Sequence, residues 1–500
     1  MTSRAMARES AEALPQHFDV LIVGAGISGV GAAYHLQQQC PDKSFLILEA
    51  LEDFGGTWIT HKYPGIRSDS DLFTFGYRFK PWTGPPIATA EEILTYMNEV
   101  IDENQIGQHI RYQHRVERAS FSREDNLWSI EGRRGDTDEQ VTFTASFLWM
   151  CQGYYDHAEG YTPEWDGVED YEGEIVHPQT WPEDLDYEGK RVVVIGSGAT
   201  AATVIPAMAE GVEHITMLQR SPTYFIPGRN ENELADQLRE LEIDDAWIHE
   251  ISRKKILHDQ MLVTKASFEQ PEDVKKLLIE VVRQLLPEGY DVEKHFTPKY
   301  LPWRQRIAFV PDGDIFAGIS AGKASVVTDE IDSFTKRGIL LKSGDELEAD
   351  IIVSATGFNI SVLGNIDFSV DDQPVDFAKT ITYRGMMFTG VPNLVWVFGY
   401  FRASWTLRVD LLGDFVCRLL RHMDETGAKR VEPVLRKEDE GLPVLPWMAD
   451  DNFNPNYLKR SMHLMPRRLD KPEWQHTQDY WREKDEIPAI DLEGEEFRYG

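Results

Sequence analysis

Two stretches of the chain repeat one pattern of apolar and polar positions, and that repeat organises the rest. The first opens with Phe18-Asp19-Val20-Leu21-Ile22-Val23, rich in β-branched residues, and passes into Gly24-Ala25-Gly26-Ile27-Ser28-Gly29. Helix-forming residues continue to Gln39, and a second apolar run, Phe45-Leu46-Ile47-Leu48, ends on Glu49. Short apolar runs bounded by glycine predict buried parallel strands, and the longer segment between them predicts the crossover helix. The second copy runs from Arg191-Val192-Val193-Val194-Ile195 through Gly196-Ser197-Gly198-Ala199-Thr200-Ala201-Ala202 into a helix ending near Glu210. Its next strand, His214-Ile215-Thr216-Met217-Leu218, ends on Gln219-Arg220-Ser221 with no acid.

Between about Asn230 and Tyr300 the period becomes helical and charged, as in Val274-Lys275-Lys276-Leu277-Leu278-Ile279-Glu280, which predicts a helical insertion. Strand character returns at Asp350–Ser354, leading into Ala355-Thr356-Gly357, and again at Asn393–Phe398. An amphipathic helix carrying Leu411, Leu412, Phe415, Val416, Leu419 and Leu420 follows. The acidic, proline-bearing tail after Arg436 reads as a surface extension. The pattern predicts an α/β protein with two doubly wound, Rossmann-like dinucleotide-binding domains. Residues 1–152 and 358–500 would form the two parts of the first domain, with the tail; 153–229 and 306–357 would form the second, interrupted by the insertion at 230–305.

Composition narrows the field. At 500 residues, 42% hydrophobic and 27% charged, the chain has ample material for packed cores, which excludes wholesale disorder. A net charge of −33 sets up a field that repels nucleic acid and anionic lipid, arguing against both as main partners. No apolar run approaches the ~20 residues of a membrane span, and Met1–His17 has no signal-peptide core. The expectation is a cytoplasmic protein, with loose attachment to a membrane surface left open and oligomeric state undetermined. Cys40, Cys151 and Cys417 are too far apart for a disulfide framework, a zinc site or a redox dithiol, and no metal set is expected.

A glycine turn after a strand and before a helix lets a pyrophosphate approach the backbone at the positive helix N-terminus. In the first copy Gly24, Gly26 and Gly29 form the turn, Ser28 is small, and Glu49 is placed to accept hydrogen bonds from ribose hydroxyls. This predicts FAD. In the second copy Gly196, Ser197, Gly198, Ala199 and Thr200 form the turn, with Ala201 in place of the third glycine and Ala202 following. Arg220 and Ser221 stand where the first copy has its acid; a guanidinium there forks onto a 2′-phosphate that a carboxylate would repel, which predicts NADPH over NADH.

Two further runs bear on the chemistry. Gly55-Gly56-Thr57-Trp58-Ile59-Thr60 continues through Tyr63-Pro64-Gly65 and Arg67-Ser68 to Asp69. Tyr171-x-Gly173-x-x-x-His177-x-x-x-Trp181-Pro182 precedes the second nucleotide fold. On these motifs the chain resembles the type I Baeyer–Villiger flavin monooxygenases, with Tyr171 where that family usually has Phe. Segments such as YPGIRSDSD, VVVIGSGATA and GYFRASWTL resemble its ethionamide-activating subgroup.

The resemblance implies an enzyme in which NADPH reduces FAD, oxygen adds at the flavin C4a carbon, and the peroxyflavin converts ketones to esters or lactones. Sulfides would be oxygenated as a side activity. It implies Arg306 as the cation beside the flavin and Asp69 as the acid that holds it, with neighbouring Arg304 the rival. Thr57, Trp58, Ile59, Thr60, Asp69 and Val116 are implied against FAD, and Arg67 and Ser68 beside NADP. His177 is implied in the linker between domains and not in proton transfer. Two alternatives stand beside this reading: a flavin monooxygenase oxygenating N or S centres, and a flavin reductase that oxygenates nothing.

Overall fold

A computed structural model describes residues 15–449 and 452–500; most of the leader expectation on Met1–His17 lies outside them. Two sheets carry the architecture. The larger has nine strands, and its parallel centre is Gln16–Val23 flanked by Phe45–Leu48 and Gln140–Met150. The carboxyl end of Gln140–Met150 also pairs in parallel with Leu394–Trp396, so a strand from late in the chain completes the sheet begun by the earliest one. The second sheet has five parallel strands in the order Ala324–Thr328, His214–Gln219, Arg191–Ile195, Ile351–Ser354 and Glu174–Val176.

Burial explains the near-continuous apolar runs. Val20, Leu21 and Ile22 are fully buried, as is Val194, because helices or loops cover both faces of each parallel strand. The helix Ile27–Gln39 packs against Thr406–Thr426, so the amphipathic pattern around Leu412, Phe415 and Val416 serves the first nucleotide fold. Between the strands of the second sheet stand the helices Glu233–Glu240, Asp245–Glu269, Pro271–Leu285 and Val292–His295. No helix of the described residues is long and apolar enough to cross a membrane.

The tail is a correction. Instead of forming a surface extension, the described part of the segment after Arg436 buries Trp447, Met448, Phe453, Leu458, Met465 and Trp474 against the sheet. Its apolar residues follow neither a helical nor a strand period, so pattern reading has no purchase there. The last strand, Phe497–Tyr499, pairs with Val431–Pro433 and ties the end of the chain down.

Candidate active site

Each glycine turn begins with a residue only glycine can be. Gly24 leaves its strand at φ +101°, donates to the Leu48 carbonyl at 2.8 Å, and would set a Cβ 2.8 Å from the Cys151 carbonyl oxygen. Gly196 repeats this at φ +133°, donating to Leu218 at 2.8 Å, with a Cβ falling 2.3 Å from the Ala355 oxygen. Both turns therefore lie flat against a neighbouring strand end.

Beyond that step they diverge. In the first, a Cβ at Gly29 would stand 1.8 Å from the Gly24 oxygen. Gly26 faces Gly56 across a narrow gap, its hypothetical Cβ 3.6 Å from the Gly56 Cα. Glu49 is buried, with Oε2 accepting from the Ala25 amide at 2.7 Å and Oε1 from Leu51 at 2.9 Å. Burial pushes its carboxyl above the usual range, against the pull of those amides. In the second turn, a Cβ at Gly198 would meet nothing within 4 Å. Gln219 is buried and donates to the His295 carbonyl at 2.7 Å, leaving exposed Arg220 as the charge at that strand end. The Ser197 hydroxyl bonds to the Ser221 carbonyl at 3.2 Å and the Thr223 hydroxyl at 3.0 Å, closing the loop. Neither helix N-terminus carries a side-chain cap, so its first amides are available to an anion.

Both turns open on one cavity of about 1150 Å³. Gly24, Gly26, Ser28, Glu49, Thr57, Trp58, Ser68, Asp69 and Val116 line it on one side; Gly196, Ser197, Gly198, Ala199, Thr200 and Ser221 line it on the other. Gly29, Ala201 and Ala202 lie behind the wall, packed in their helices, as do Ile59 and Thr60. The Thr60 hydroxyl donates back to the Gly56 carbonyl at 2.9 Å. Arg67 also stands off the wall, paired to Asp314 at 2.6 Å, and Arg220 lies outside it.

Arg306 also faces this cavity. Its Nε donates to Asp69 Oδ2 at 2.5 Å and its Nη2 to Oδ1 at 2.6 Å, a two-pronged pairing that fixes the guanidinium plane. Its side chain keeps 36% of its surface exposed. Burial alone would lower its ionisation; the Asp69 carboxylate more than reverses that, so the residue stays cationic. Arg304 is elsewhere, over the Phe268 ring at 5.7 Å. His177 caps the turn after it by accepting from Gln179 N at 3.2 Å, and its Nε2 meets the Gly357 carbonyl at 3.2 Å. It follows directly on Glu174–Val176, the edge strand of the second sheet.

Family models match residues 22–84 as an NAD(P)-binding Rossmann-like domain and 78–234 as flavin-binding monooxygenase-like. The FAD-containing monooxygenase EthA of Mycolicibacterium smegmatis is 46% identical over 94% of both chains. The probable FAD-binding monooxygenase AlmA of Acinetobacter baylyi is 42% identical over 93% of both. This chain belongs to the FAD-containing monooxygenases. The same fold occurs in a steroid monooxygenase bound to NADP (TM-score 0.76, 23% identity) and a cyclohexanone-bound cyclohexanone monooxygenase (TM-score 0.75, 20% identity), each match covering 97% of this chain and 99% of the other.

In this monooxygenase the cavity also takes Trp405, from the GYFRASWTL segment, and three tyrosines that the quoted motifs do not contain. Tyr154 and Tyr155 follow the strand ending at Met150, Trp405 ends the loop after Leu394–Trp396, and Tyr457 comes from the tail. Trp405 donates from Nε1 to Ser28 Oγ at 2.8 Å, and its ring stacks on Tyr154 with centroids 5.2 Å apart. A signal for three of them existed: ligands gather beyond the carboxyl ends of parallel strands, which is where Tyr154, Tyr155 and Trp405 stand. For Tyr457 there was none.

Proposed function

We propose that this monooxygenase converts apolar ketones to esters or lactones using FAD, NADPH and O2, with oxygenation of soft sulfides as a side activity. The observation that carries the reading is the two-pronged Arg306–Asp69 pair facing the cavity between the two glycine turns.

The first turn fits FAD. Gly24, Gly26 and Gly29 with Ser28 leave the backbone bare for a pyrophosphate, and Glu49 suits a ribose. Thr57 and Trp58 would meet the flavin, backed by Ile59 and Thr60, and Val116 lies on the same wall. The second turn fits NADPH through Gly196, Ser197, Gly198, Ala199 and Thr200, with Ala201 and Ala202 packing the helix. Arg220 and Ser221 would take the 2′-phosphate. Arg67 and Ser68 flank that route. On this assignment 1–152 and 358–500 form the FAD unit and 153–229 and 306–357 the NADP unit.

A reduced flavin bound here supplies the activated oxygen atom from O2. The chain's own residues supply fixed charge. Arg306 keeps its proton and its plane, so it stabilises negative charge first on the oxygen donor and then on the former carbonyl oxygen, with little reorganisation. Asp69 positions it. A cation at this place favours an anionic, nucleophilic oxidant, which suits ketones better than amines. The cyclohexanone-bound neighbour, at 20% identity, shares the fold and speaks for no particular substrate.

The test is product analysis under isotopically labelled oxygen, with linear, cyclic and aryl ketones plus a thioether. An ester carrying one labelled atom is expected. Sulfoxide or amine oxide with no ester from any ketone would move the enzyme to the N- and S-oxygenating class.

A further inference from the structure

The Tyr154 hydroxyl donates to the Tyr155 hydroxyl at 2.6 Å. Tyr155 thus has an acceptor position filled by its neighbour, and its own hydrogen meets no acceptor among the described residues. Both tyrosines face the cavity that holds Arg306 and Asp69, and the Tyr155 hydroxyl is within range of both charges. Neither ring is free to turn away. Tyr155 begins the strand Tyr155–Gly160, pairs with Ile360, and lies on Phe358 with centroids 4.5 Å apart. Tyr154 is stacked on Trp405, which is itself tied to Ser28.

A hydroxyl that accepts a hydrogen bond is polarised into a better donor. Burial holds the Tyr155 hydroxyl above its usual ionisation range, so it remains a donor at neutral pH. Donors aimed at a developing oxyanion are the strongest electrostatic aid to carbonyl chemistry, and Arg306 alone must serve two successive anions.

Building on the ketone reading above, we infer that Tyr155 is a catalytic hydrogen-bond donor to the substrate's carbonyl oxygen, with Tyr154 the positioning residue that polarises it. As the outer oxygen of the O–O donor adds to the carbonyl carbon, the C=O π pair moves onto the carbonyl oxygen; as that pair returns, a carbon substituent migrates with its bonding pair to the added oxygen, the O–O bond breaks, and its electron pair leaves with the other oxygen on the donor. Tyr155 keeps its proton throughout.

A thioether has no carbonyl oxygen, so competition between a ketone and a thioether isolates this role. Wild-type, Tyr155→Phe and Tyr154→Phe holoenzymes are compared with both substrates present, with flavin content and NADPH use measured alongside. The ester-to-sulfoxide ratio is expected to fall roughly ten- to a hundredfold in Tyr155→Phe, as for loss of one neutral hydrogen bond to a buried group, and by about two- to fivefold in Tyr154→Phe, which loses only its support. An unchanged ratio in flavin-loaded Tyr155→Phe overturns the inference. Should that variant fail to load flavin, an unchanged ratio in Tyr154→Phe overturns it instead. A wild type that yields sulfoxide but no ester overturns the ketone reading itself, and this role with it.

Discussion

The two glycine turns start from the same backbone step and end as different kinds of site. The first is closed: Gly29 fits only without a Cβ, Gly26 faces Gly56, Glu49 is buried on two amides, and Trp405 reaches over to bond Ser28. The second is open: Ala201 already carries a Cβ in its helix, Gly198 faces empty space, and Arg220 is exposed. The contrast is what a resident cofactor and an exchanging one require. A ligand kept through many turnovers is enclosed by distant segments of the chain; one that must leave is held by a single turn and an outward-facing charge.

The sharpest way to break that contrast is to place a Cβ in the closed turn. Gly29→Ala forces a methyl to within 1.8 Å of the Gly24 carbonyl oxygen. Overpacking of this kind costs about 1–3 kcal/mol or more, and flavin-to-protein absorbance should show most of the flavin lost. The reverse change in the open turn, Ala201→Gly, should cost roughly 0.5–1 kcal/mol of helix stability and leave flavin content intact. Equal flavin loss in both would erase the distinction.

The next effect concerns the outward charge. On the proposed role, Arg220→Ala would remove a charge-assisted contact to the 2′-phosphate, about 1.5–3 kcal/mol, so KM for NADPH should rise roughly ten- to a hundredfold. KM for NADH should change far less. Parallel changes would mean that Arg220 does not read the phosphate.

A smaller effect, visible only in acid, comes from the clamp beneath the closed side. Glu483 is buried, accepts from Arg408 Nε at 2.9 Å and from the Tyr400 hydroxyl at 2.6 Å, and so fixes the loop leading to Trp405. Burial would raise its carboxyl, but Arg408 and the hydroxyl donors hold it down at about 2. Because the folded value lies below the unfolded one, its stabilisation is complete above the ordinary glutamate range and is lost as pH falls toward 2. Thermal unfolding of the wild type should therefore fall more steeply on acidification below pH ~4.5 than that of Glu483→Gln. Parallel curves would remove Glu483 from the acid response.

Much of this is legible in the residues alone. Both glycine turns announce themselves because a positive-φ glycine between an apolar run and a helix leaves a local signature. The acid at Glu49 and the arginine at Arg220 stand at fixed distances from those turns. The Arg306–Asp69 pair spans 237 positions and is legible only through motif resemblance, since no local rule joins such residues. The tail is opaque for a different reason. Trp447 and Phe453 are buried in irregular loops, Leu458 in the six-residue helix Asn456–Ser461 and Trp474 in a single 3-10 turn, segments too short to show a period of their own. Tyr154 and Tyr155 fall between these cases: unremarkable in sequence, they gain meaning from the strand end that carries them.

On the proposed mechanism a fixed guanidinium directs oxygen onto a carbonyl carbon. The direct measurement is the division of consumed NADPH between ester and hydrogen peroxide, in wild type and in flavin-loaded Arg306→Ala. Flavin reduction by NADPH should persist in the variant, while ester formation falls roughly 10²–10³-fold, as when a principal oxyanion donor is removed, and peroxide accounts for the NADPH consumed. Ester formed by Arg306→Ala at the wild-type yield would contradict the account.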